Sequence, residues 1–544
     1  MNKVAKFVIA ITLVYSLSIE FVRILFPWQV DYVEGLMLYI SSLIHKGFNV
    51  YSIKPSSIEF TSASYPLLSY IPTLISHLIF GIDVKSLILS RFFHMISSLT
   101  ALVILSYVLY LLTRNLTLSL AYIALTLAFR PIAYWLPLVR CDNLALFFIA
   151  LNFYLILKGS YTLLPLALTL LSLTKQQYLD LSLTILIWAL VIKRNTRLIK
   201  ALVVAIALQL IAYLLHEVAY RGTLTSLIMF NMVHVRKFSQ AIAIFRYSFT
   251  ELPWSIFILL MALISAGYYI VRSRNKFISL LSMYLIINFV ASFIMSSKLG
   301  SNTNYYIVSA SMASMVAMYS IHEFLVKAKR YLRVLLIMSL ILISLLSIQC
   351  TSNSFGFPTD ERNAGLATIA ILSILKPKLN ASWCWCDEYL IAYLLNLYVP
   401  VDAFYYTQLV RASVLADITY VMGGLPKIII WSYDTHRITD GVLHLILNHT
   451  YRILLPTNYF GVFIQSDSTI KSEMLDIVES YSRYLAIYST DSITRVFSLI
   501  EHIVKNVEYL MNYLILAFLA LMCIYIIKYV LKYVSKRLCR VNHM

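Results

Sequence analysis

Long apolar runs separated by short polar segments dominate residues 1–350 of the chain. Most of the runs are about 17 to 25 residues long, the length that a helix needs to cross the hydrocarbon core of a bilayer. Spans are expected near 7–27, 86–112, 116–136, 143–158, 161–174, 178–192, 199–219, 254–271, 277–296, 303–325, 332–350 and 508–530. The pattern predicts a polytopic α-helical membrane protein with about 12 spans.

The pattern changes between residues 351 and 506, where apolar runs shorten to strand length and turn residues appear. Strands are expected at 427–431, 451–455 and 459–465, and helices at 360–375 and 387–397. Three parts are therefore predicted: a transmembrane domain (1–350), a small extracytoplasmic α/β domain (351–506), and a last span with a basic cytoplasmic tail (507–544).

Composition agrees with a membrane protein, because 60% of the 544 residues are hydrophobic and only 13% are charged. The net charge of +19 would also suit a nucleic-acid partner. However, the Lys and Arg residues form short clusters between apolar runs, where they set the orientation of the spans. We therefore expect membrane lipid as a partner, and no nucleic acid.

The basic clusters also decide how the apolar stretch 65–81 is counted. This stretch contains Pro66 and Pro72 and is short for a span. If it does not cross and the N-terminus is cytoplasmic, almost all strong basic clusters fall on the cytoplasmic side, as the positive-inside rule requires. These clusters are Arg114, Lys158, 193–200, 272–276, 327–333 and 532–540. Both termini are then cytoplasmic, and the protein is a multi-pass protein of the cell membrane.

The same topology gathers a second group of polar residues on the outer face. They are Asp31, Glu34, Arg140, Asp142, Lys175, Lys298, Asn302, Asn304 and Tyr305. The inner clusters alone define the topology, so the convergence of these residues independently indicates a functional site.

The outer carboxylates Asp31 and Glu34 are three residues apart, so they share a face if this segment is helical. Carboxylates shielded at a bilayer surface suit a general base, or they suit a divalent ion such as Mg²⁺ or Mn²⁺. Two solvated acids on an interfacial helix would give the same sequence pattern. The sequence leaves these readings open.

The outer cations Arg140, Lys175 and Lys298 suit a phosphate-bearing lipid, whose negative charge grows when a glycosyl bond to the phosphate breaks. Lone cations that snorkel to lipid headgroups are the alternative. That alternative predicts scattered residues, whereas Arg140 has Asp142 two residues away and Lys298 precedes a polar run. Glu20 and Arg23, in the first span, are expected to pair with each other.

The region after residue 350 has no Gly-rich phosphate loop and no Cys/His metal spacing. Cys384 and Cys386 are the close cysteine pair, and either a disulfide that includes Cys350 or free thiols fits the sequence. The sequons at Asn380 and Asn448 are compatible with an outer location.

The order of these motifs resembles the GT-C superfamily of membrane glycosyltransferases. The resemblance rests on Asp-x-x-Glu-Gly at 31–35, Tyr65-Pro66-Leu67, Arg91, Arg140-x-Asp142, Thr174-Lys175-Gln176 and the polar run 300–305. It is strongest to the protein O-mannosyltransferase-like group, which includes the aminoarabinose transferases and the rhizobial lipopolysaccharide glycosyltransferases. The similarity covers residues 1–350, with a looser likeness in the outer domain.

The resemblance implies transfer of one sugar from a polyprenyl-phosphate donor to a glycan, lipid or protein acceptor on the outer face, usually with inversion. It makes Asp31 the catalytic base and Glu34 a second active-site carboxylate. Arg140, Asp142, Lys175, Lys298, Asn302, Asn304 and Tyr305 become substrate-binding candidates. The mannosyltransferases have adjacent Asp-Glu where this chain has Asp-x-x-Glu, which leaves the division of roles between Asp31 and Glu34 open.

Two other classes of function remain open at this stage. A transporter or flippase for a lipid-linked or anionic solute would use intramembrane charges and two related halves, but no internal repeat is visible in the sequence. A non-catalytic assembly protein would bind a partner through its outer domain.

Overall fold

The fold is given by a computed structural model of the chain. It describes residues 3–51, 63–233, 236–250, 252–298, 301–327, 330–378, 385–386, 389–397, 428–432, 451–456, 460–465, 480, 483–488 and 491–541. Within these ranges most residues are α-helical. The expected sequons at Asn380 and Asn448 and the thiol of Cys384 lie outside the described residues.

Helices follow one another closely from residue 3 to residue 394. Their bounds are α1 Lys3–Leu25, α2 Tyr32–His45, α3 Ile71–Phe80, α4 Val84–Thr113, α5 Leu116–Leu127, α6 Arg130–Trp135, α7 Cys141–Lys158, α8 Leu164–Thr174, α9 Leu179–Trp188, α10 Thr196–Ala219, α11 Thr223–Val233, α12 Phe238–Phe249, α13 Pro253–Arg272, α14 Lys276–Met295, α15 Ile307–Lys327, α16 Arg330–Asn353, α17 Thr359–Lys378 and α18 Tyr389–Leu394, and α19 Ser492–Val541 follows later. Several begin after an Asp or Asn whose side chain accepts a hydrogen bond from the first turn, namely Asp31, Asp83, Asn115, Asn195 and Asn275.

Seven of the described helices are long and apolar enough to cross a membrane. They are Lys3–Leu25, Val84–Thr113, Cys141–Lys158, Thr196–Ala219, Trp254–Arg272, Lys276–Met295 and Ser492–Ile524. Shorter apolar helices lie at Leu67–Phe80, Leu116–Leu127, Leu164–Thr174 and Ile337–Asn353. The expected count of about 12 spans is therefore not confirmed. The run 116–136, for example, is divided into α5 and α6, because α6 starts anew with Pro131 in its first turn.

Six of the seven candidate spans carry large apolar side chains that are exposed, and Cys141–Lys158 is the exception. Ile264 and Val271 on α13 are exposed, as are Leu210 and Val218 on α10. Exposed apolar side chains of this kind suit hydrocarbon rather than water, and a helix also bonds the backbone polar groups of its interior within itself, as the bilayer core requires. The chain is therefore an integral membrane protein, as the apolar pattern predicts.

Four short strands form one mixed sheet; the first lies between α17 and α18, and the other three lie between α18 and α19. They are β1 Trp385–Cys386, β2 Ile428–Ser432, β3 Tyr451–Pro456 and β4 Phe460–Gln465. The order is β1-β2-β4-β3, with β1 parallel to β2 and the other pairs antiparallel. The location of this sheet outside the membrane remains a prediction.

Two apolar clusters organise the described core. One fills the space between the spans, with α4 and α7 as its largest contact. The other surrounds α2 and includes side chains of α17 and α18. Because α2 follows directly after Asp31, this second cluster fixes the position of the loop that carries the first expected carboxylate.

Candidate active site

Asp31 is the N-cap residue of α2 and closes the loop that leaves α1. Its Oδ1 accepts hydrogen bonds from the Val33 amide at 3.0 Å and from Arg140 Nη2 at 2.9 Å. The side chains of the Asp31–Arg140 pair are about nine-tenths buried, with 10% and 7% exposure. Among the described residues no hydrogen bond to Oδ2 is found, so this oxygen is available to a substrate.

Glu34 lies one turn further along α2 and is completely buried. Arg91 binds it with two hydrogen bonds, Nε to Oε1 at 2.8 Å and Nη2 to Oε2 at 2.6 Å. The amides of Val139 and Val30 add one bond to each oxygen, at 3.1 and 2.8 Å. Burial alone would raise the pKa of Glu34, but Arg91 and the two amides outweigh it and lower that pKa. Glu34 is therefore a buried carboxylate anion, each of whose oxygens accepts two hydrogen bonds.

Arg91 also organises the loop before Asp31. Its Nη1 donates to the carbonyls of Phe26 at 2.6 Å and Arg23 at 3.3 Å, and its Nη2 donates to Trp28 O at 2.6 Å. All five N–H groups of the guanidinium are thereby used, as a fully buried arginine requires. The Glu34–Arg91 pair therefore fixes the path of the backbone that presents Asp31.

Asp142, in the first turn of α7, forms a second buried ion pair. Its Oδ1 accepts from Lys175 Nζ at 2.7 Å and from the Tyr178 hydroxyl at 3.0 Å, and its Oδ2 accepts from Asn304 Nδ2 at 3.0 Å. One carboxylate thus joins α7, the turn after α8, and the turn before α15. Asp142 lies two residues after Arg140, so the two ion pairs are neighbours.

Aromatic rings surround the cations of these pairs. The Arg140 guanidinium lies over the Trp135 ring at 4.5 Å, and Lys175 Nζ lies 4.9 Å from the Tyr305 ring centre and 5.8 Å from that of Tyr65. Asp31 holds the pKa of Arg140 high against the opposing effect of burial, so its charge is permanent. The site therefore offers fixed positive charge between aromatic walls.

Lys298 lies in the turn after α14 and is 2% exposed. Burial, with the nearby charges of Arg236 and Lys175, lowers the pKa of Lys298 to about 7. Its backbone forms an isolated bridge with Arg236, which ties this turn to the segment before α12. Lys298 is thus a cation whose charge changes near neutral pH.

The structure brings together most of the residues that the sequence singled out. Asp31 contacts Arg140, and Asp142 contacts Lys175 and Asn304, whereas Tyr305 packs near Lys175. Asn302 has a different role, because its side chain accepts from the Thr303 amide at 2.8 Å and caps the turn Thr303–Tyr306.

Sequence reasoning missed the supporting residues. Arg91 and Tyr65 were recognised only as members of the motif series, with no role assigned, and Trp135 was not recognised. Trp135 stacks on Arg140 and donates from Nε1 to Thr303 Oγ1 at 2.7 Å. An arginine inside an apolar run, seven residues into α4, was a signal for a buried carboxylate partner. The expected Glu20–Arg23 pair is present, with a separation of 3.0 Å.

Glu34 and Asp142 do not fit a divalent ion as they stand. Both oxygens of Glu34 and both of Asp142 are bonded to N–H or O–H donors, which a metal ligand would have to give up. In the described part of the chain, no group of three or more His, Cys, Asp or Glu side chains is arranged to hold a metal ion. We therefore derive no step through Mg²⁺ or Mn²⁺.

Comparison with solved structures identifies the fold. The crystal structure of ArnT from Cupriavidus metallidurans bound to undecaprenyl phosphate superposes with a TM-score of 0.58 at 14% identity, over 84% of this chain and 98% of that chain. The apo state of the same protein gives 0.57 at 13% identity, over 84% and 97%. No family model and no curated protein sequence matches this chain. The chain therefore has an ArnT-like fold, which is the fold that the resemblance to the aminoarabinose transferases implies.

Proposed function

We propose that the protein is a glycosyltransferase that moves a sugar from a polyprenyl-phosphate-linked donor to an acceptor at the outer face of the membrane. The fold of ArnT, whose crystal structure contains undecaprenyl phosphate, supports the donor class. The observation that carries the proposal is one carboxylate with an unbonded oxygen, Asp31, beside a set of buried cations.

In the proposed reaction an acceptor group O–H or N–H attacks the anomeric carbon while the bond from that carbon to the phosphate oxygen breaks. Oδ2 of Asp31 takes the proton from the attacking group. The polyprenyl phosphate departs with the electron pair of the broken bond and gains negative charge. In-line attack of this kind inverts the anomeric centre.

The proposed role of Arg140, Lys175 and Lys298 is to stabilise the charge that develops on the departing phosphate. Cations that are already desolvated and held by packing do this without reorganisation during the reaction. Asp142 and Asn304 are proposed to orient Lys175, and Tyr305 to cover it. Glu34 is proposed to act through Arg91 as a positioning residue, because both of its oxygens already accept two hydrogen bonds from the protein.

Transfer in proteoliposomes tests this proposal. Purified protein is reconstituted with polyprenyl-phosphate sugars carrying a label in the sugar, together with a membrane extract that contains acceptors. We expect labelled sugar to leave the donor and free polyprenyl phosphate to appear in equal amount. If the intact labelled lipid changes leaflet by counterflow and no sugar is released, the protein is a flippase and the proposal is wrong.

The pH dependence of donor binding reports on Lys298. Because the pKa of Lys298 is lowered to about 7, its ammonium is charged below pH 7 and neutral above it. The KM for the donor is therefore expected to rise by about tenfold between pH 6 and pH 8, since a charge-assisted hydrogen bond contributes about 1.5–3 kcal/mol.

The controls for this experiment are Lys298→Met and Lys237→Met. The first is expected to remove the pH dependence and leave KM high at both pH values. Lys237, an exposed lysine on the neighbouring segment, is expected to matter little. A wild-type KM that does not change with pH would exclude Lys298 from donor binding.

A further inference from the structure

The loop between α1 and α2 is held from two sides at Trp28. From the membrane domain, Arg91 Nη2 donates to the backbone carbonyl of Trp28 at 2.6 Å. From the opposite side, the indole Nε1 of Trp28 donates to Glu361 Oε1 on α17 at 3.2 Å. Trp28 is 1% exposed and lies three residues before Asp31.

The contact between Trp28 and α17 is unusually close because residue 365 is glycine. A Cβ atom on Gly365 would overlap Cζ2 and Cη2 of the Trp28 ring. The backbone of Gly365 is not in the left-handed region, so space rather than conformation requires the glycine. The Trp28 ring thus packs directly against the backbone of α17 at Gly365.

A second glycine makes a similar contact at the other end of the loop. A Cβ atom on Gly35 would lie 2.6 Å from the backbone nitrogen of Leu390, in α18. This contact accounts for the glycine of the Asp-x-x-Glu-Gly motif. Asp31 therefore lies between two close contacts in the sequence. Before it, Trp28 packs against α17 at Gly365, and after it, Gly35 packs against the backbone of Leu390 in α18.

The segment that makes these contacts is itself anchored. Arg362 of α17 binds Asp491, just before α19, at 2.9 Å and Thr494 Oγ1 at 3.0 Å. The ring of Phe357 packs against that of Phe26 in a tilted arrangement and against that of Phe497 edge to face, with centres 4.8 and 4.6 Å away. A displacement of α17 would therefore be transmitted to the loop instead of being absorbed by it.

We propose that Trp28 is a positioning residue for the transfer reaction, and that α17 sets the place of Asp31 through it. This rests on the proposed role of Asp31 as the base. Trp28 does not touch the substrate in this proposal. It transmits the position of α17 to the carboxylate, so a group bound on α17 can change the rate of the reaction.

The test compares Gly365→Ala with Gly356→Ala in the donor transfer assay. The new methyl group at 365 must push Trp28, whereas a Cβ at Gly356 meets no atom within 4 Å. We expect Gly365→Ala to lower kcat by about tenfold or more with the donor KM unchanged, because a shift of about 1 Å in a reacting group costs up to about a hundredfold. Gly356→Ala is expected to behave as wild type.

Suppression by a second substitution separates positioning from general damage. Trp28→Phe removes the outer edge of the ring, so the double variant Trp28→Phe/Gly365→Ala is expected to recover most of the kcat lost in Gly365→Ala. Should Trp28→Phe not fold, Glu361→Gln and Glu361→Leu replace it. The glutamine keeps an acceptor for the indole and should retain kcat, and the leucine should lower it.

Three results would overturn the inference: an unchanged kcat in Gly365→Ala, a loss that Trp28→Phe does not relieve, or equal kcat in both Glu361 variants. Asp31→Asn, measured in the same assay, separates this outcome from a failure of the proposed function. If Asp31→Asn is inactive but suppression fails, only the role of Trp28 is wrong. If Asp31→Asn is fully active, the base assignment is wrong whatever Gly365→Ala does.

Discussion

Asp31→Asn is expected to lower kcat for sugar transfer by about 10²- to 10⁴-fold, the usual contribution of a positioned general base. The amide keeps the shape of the side chain and its bonds to the Val33 amide and Arg140. It removes the oxygen that takes the proton. The KM for the donor should change little, because the cations remain in place.

The control is Asp83→Asn, which makes the same chemical change at another helix start. Asp83 caps α4 through a bond from the Lys85 amide at 2.7 Å, as Asp31 caps α2. Asparagine caps helices as well as aspartate does, so both variants should keep the helix start. Because Asp31→Asn also leaves the buried Arg140 without a carboxylate partner, kcat is compared after both proteins give the wild-type elution profile in size-exclusion chromatography. If kcat falls equally in both, or in neither, Asp31 is not the base.

Arg91→Met is expected to lower the free energy of unfolding by about 3–5 kcal/mol, because it leaves the charge of Glu34 buried without its partner. The substitution also removes the donors that hold the carbonyls of Arg23, Phe26 and Trp28. Chemical unfolding in detergent micelles measures the loss. Arg91→Lys should also destabilise the protein, since an ammonium cannot reproduce the two-pronged bond to Glu34.

Glu34→Gln in the Arg91→Met background is the matched control. The neutral amide needs no counter-ion, so the double variant should be more stable than Arg91→Met alone. Because folding lowers the pKa of Glu34, the pair stabilises the protein above the ordinary glutamate pKa, and this contribution is lost as the pH falls through the lowered value. Equal stability of the single and double variants would contradict this account of the pair.

The sequence predicted which of the candidate site residues lie close together better than it predicted how they pair. Basic clusters between apolar runs mark the cytoplasmic side of the bilayer, so their positions predicted that residues 31, 140, 142, 175 and 298 lie on the opposite face. Pairing depends on side-chain directions within a packed core, which no local pattern encodes. Asp142 could therefore be read as a partner of Arg140, whereas it binds Lys175 at 2.7 Å.

The Asp-x-x-Glu-Gly motif shows the same limit. The expectation of two reactive carboxylates comes from residue type and spacing. In the structure Glu34 is bonded to four donors and Gly35 makes room for Leu390, so two of the three motif residues have packing roles. The contacts that distinguish the two carboxylates come from residues distant in sequence, since Arg91 of α4 binds Glu34 through both oxygens and Arg140 binds one oxygen of Asp31.

The number of spans was harder to predict, because an apolar run does not always fold as one helix long enough to cross a bilayer. The apolar runs at 161–174 and 178–192 fold as the 11-residue helix α8 and the 10-residue helix α9, followed by a single π-helical turn. The break between these two short helices has a local cause, because α8 ends at the turn around Lys175, whose side chain binds Asp142. The site itself thus interrupts the pattern from which spans are counted.

A structure with bound polyprenyl phosphate tests the central claim most directly. The account predicts that the phosphate lies within hydrogen-bonding distance of at least two of Arg140, Lys175 and Lys298, on the side from which Oδ2 of Asp31 can reach an incoming acceptor. A phosphate bound at the opposite ends of the spans, beside the basic clusters near 193–200 and 272–276, would contradict both the proposed site and the proposed orientation.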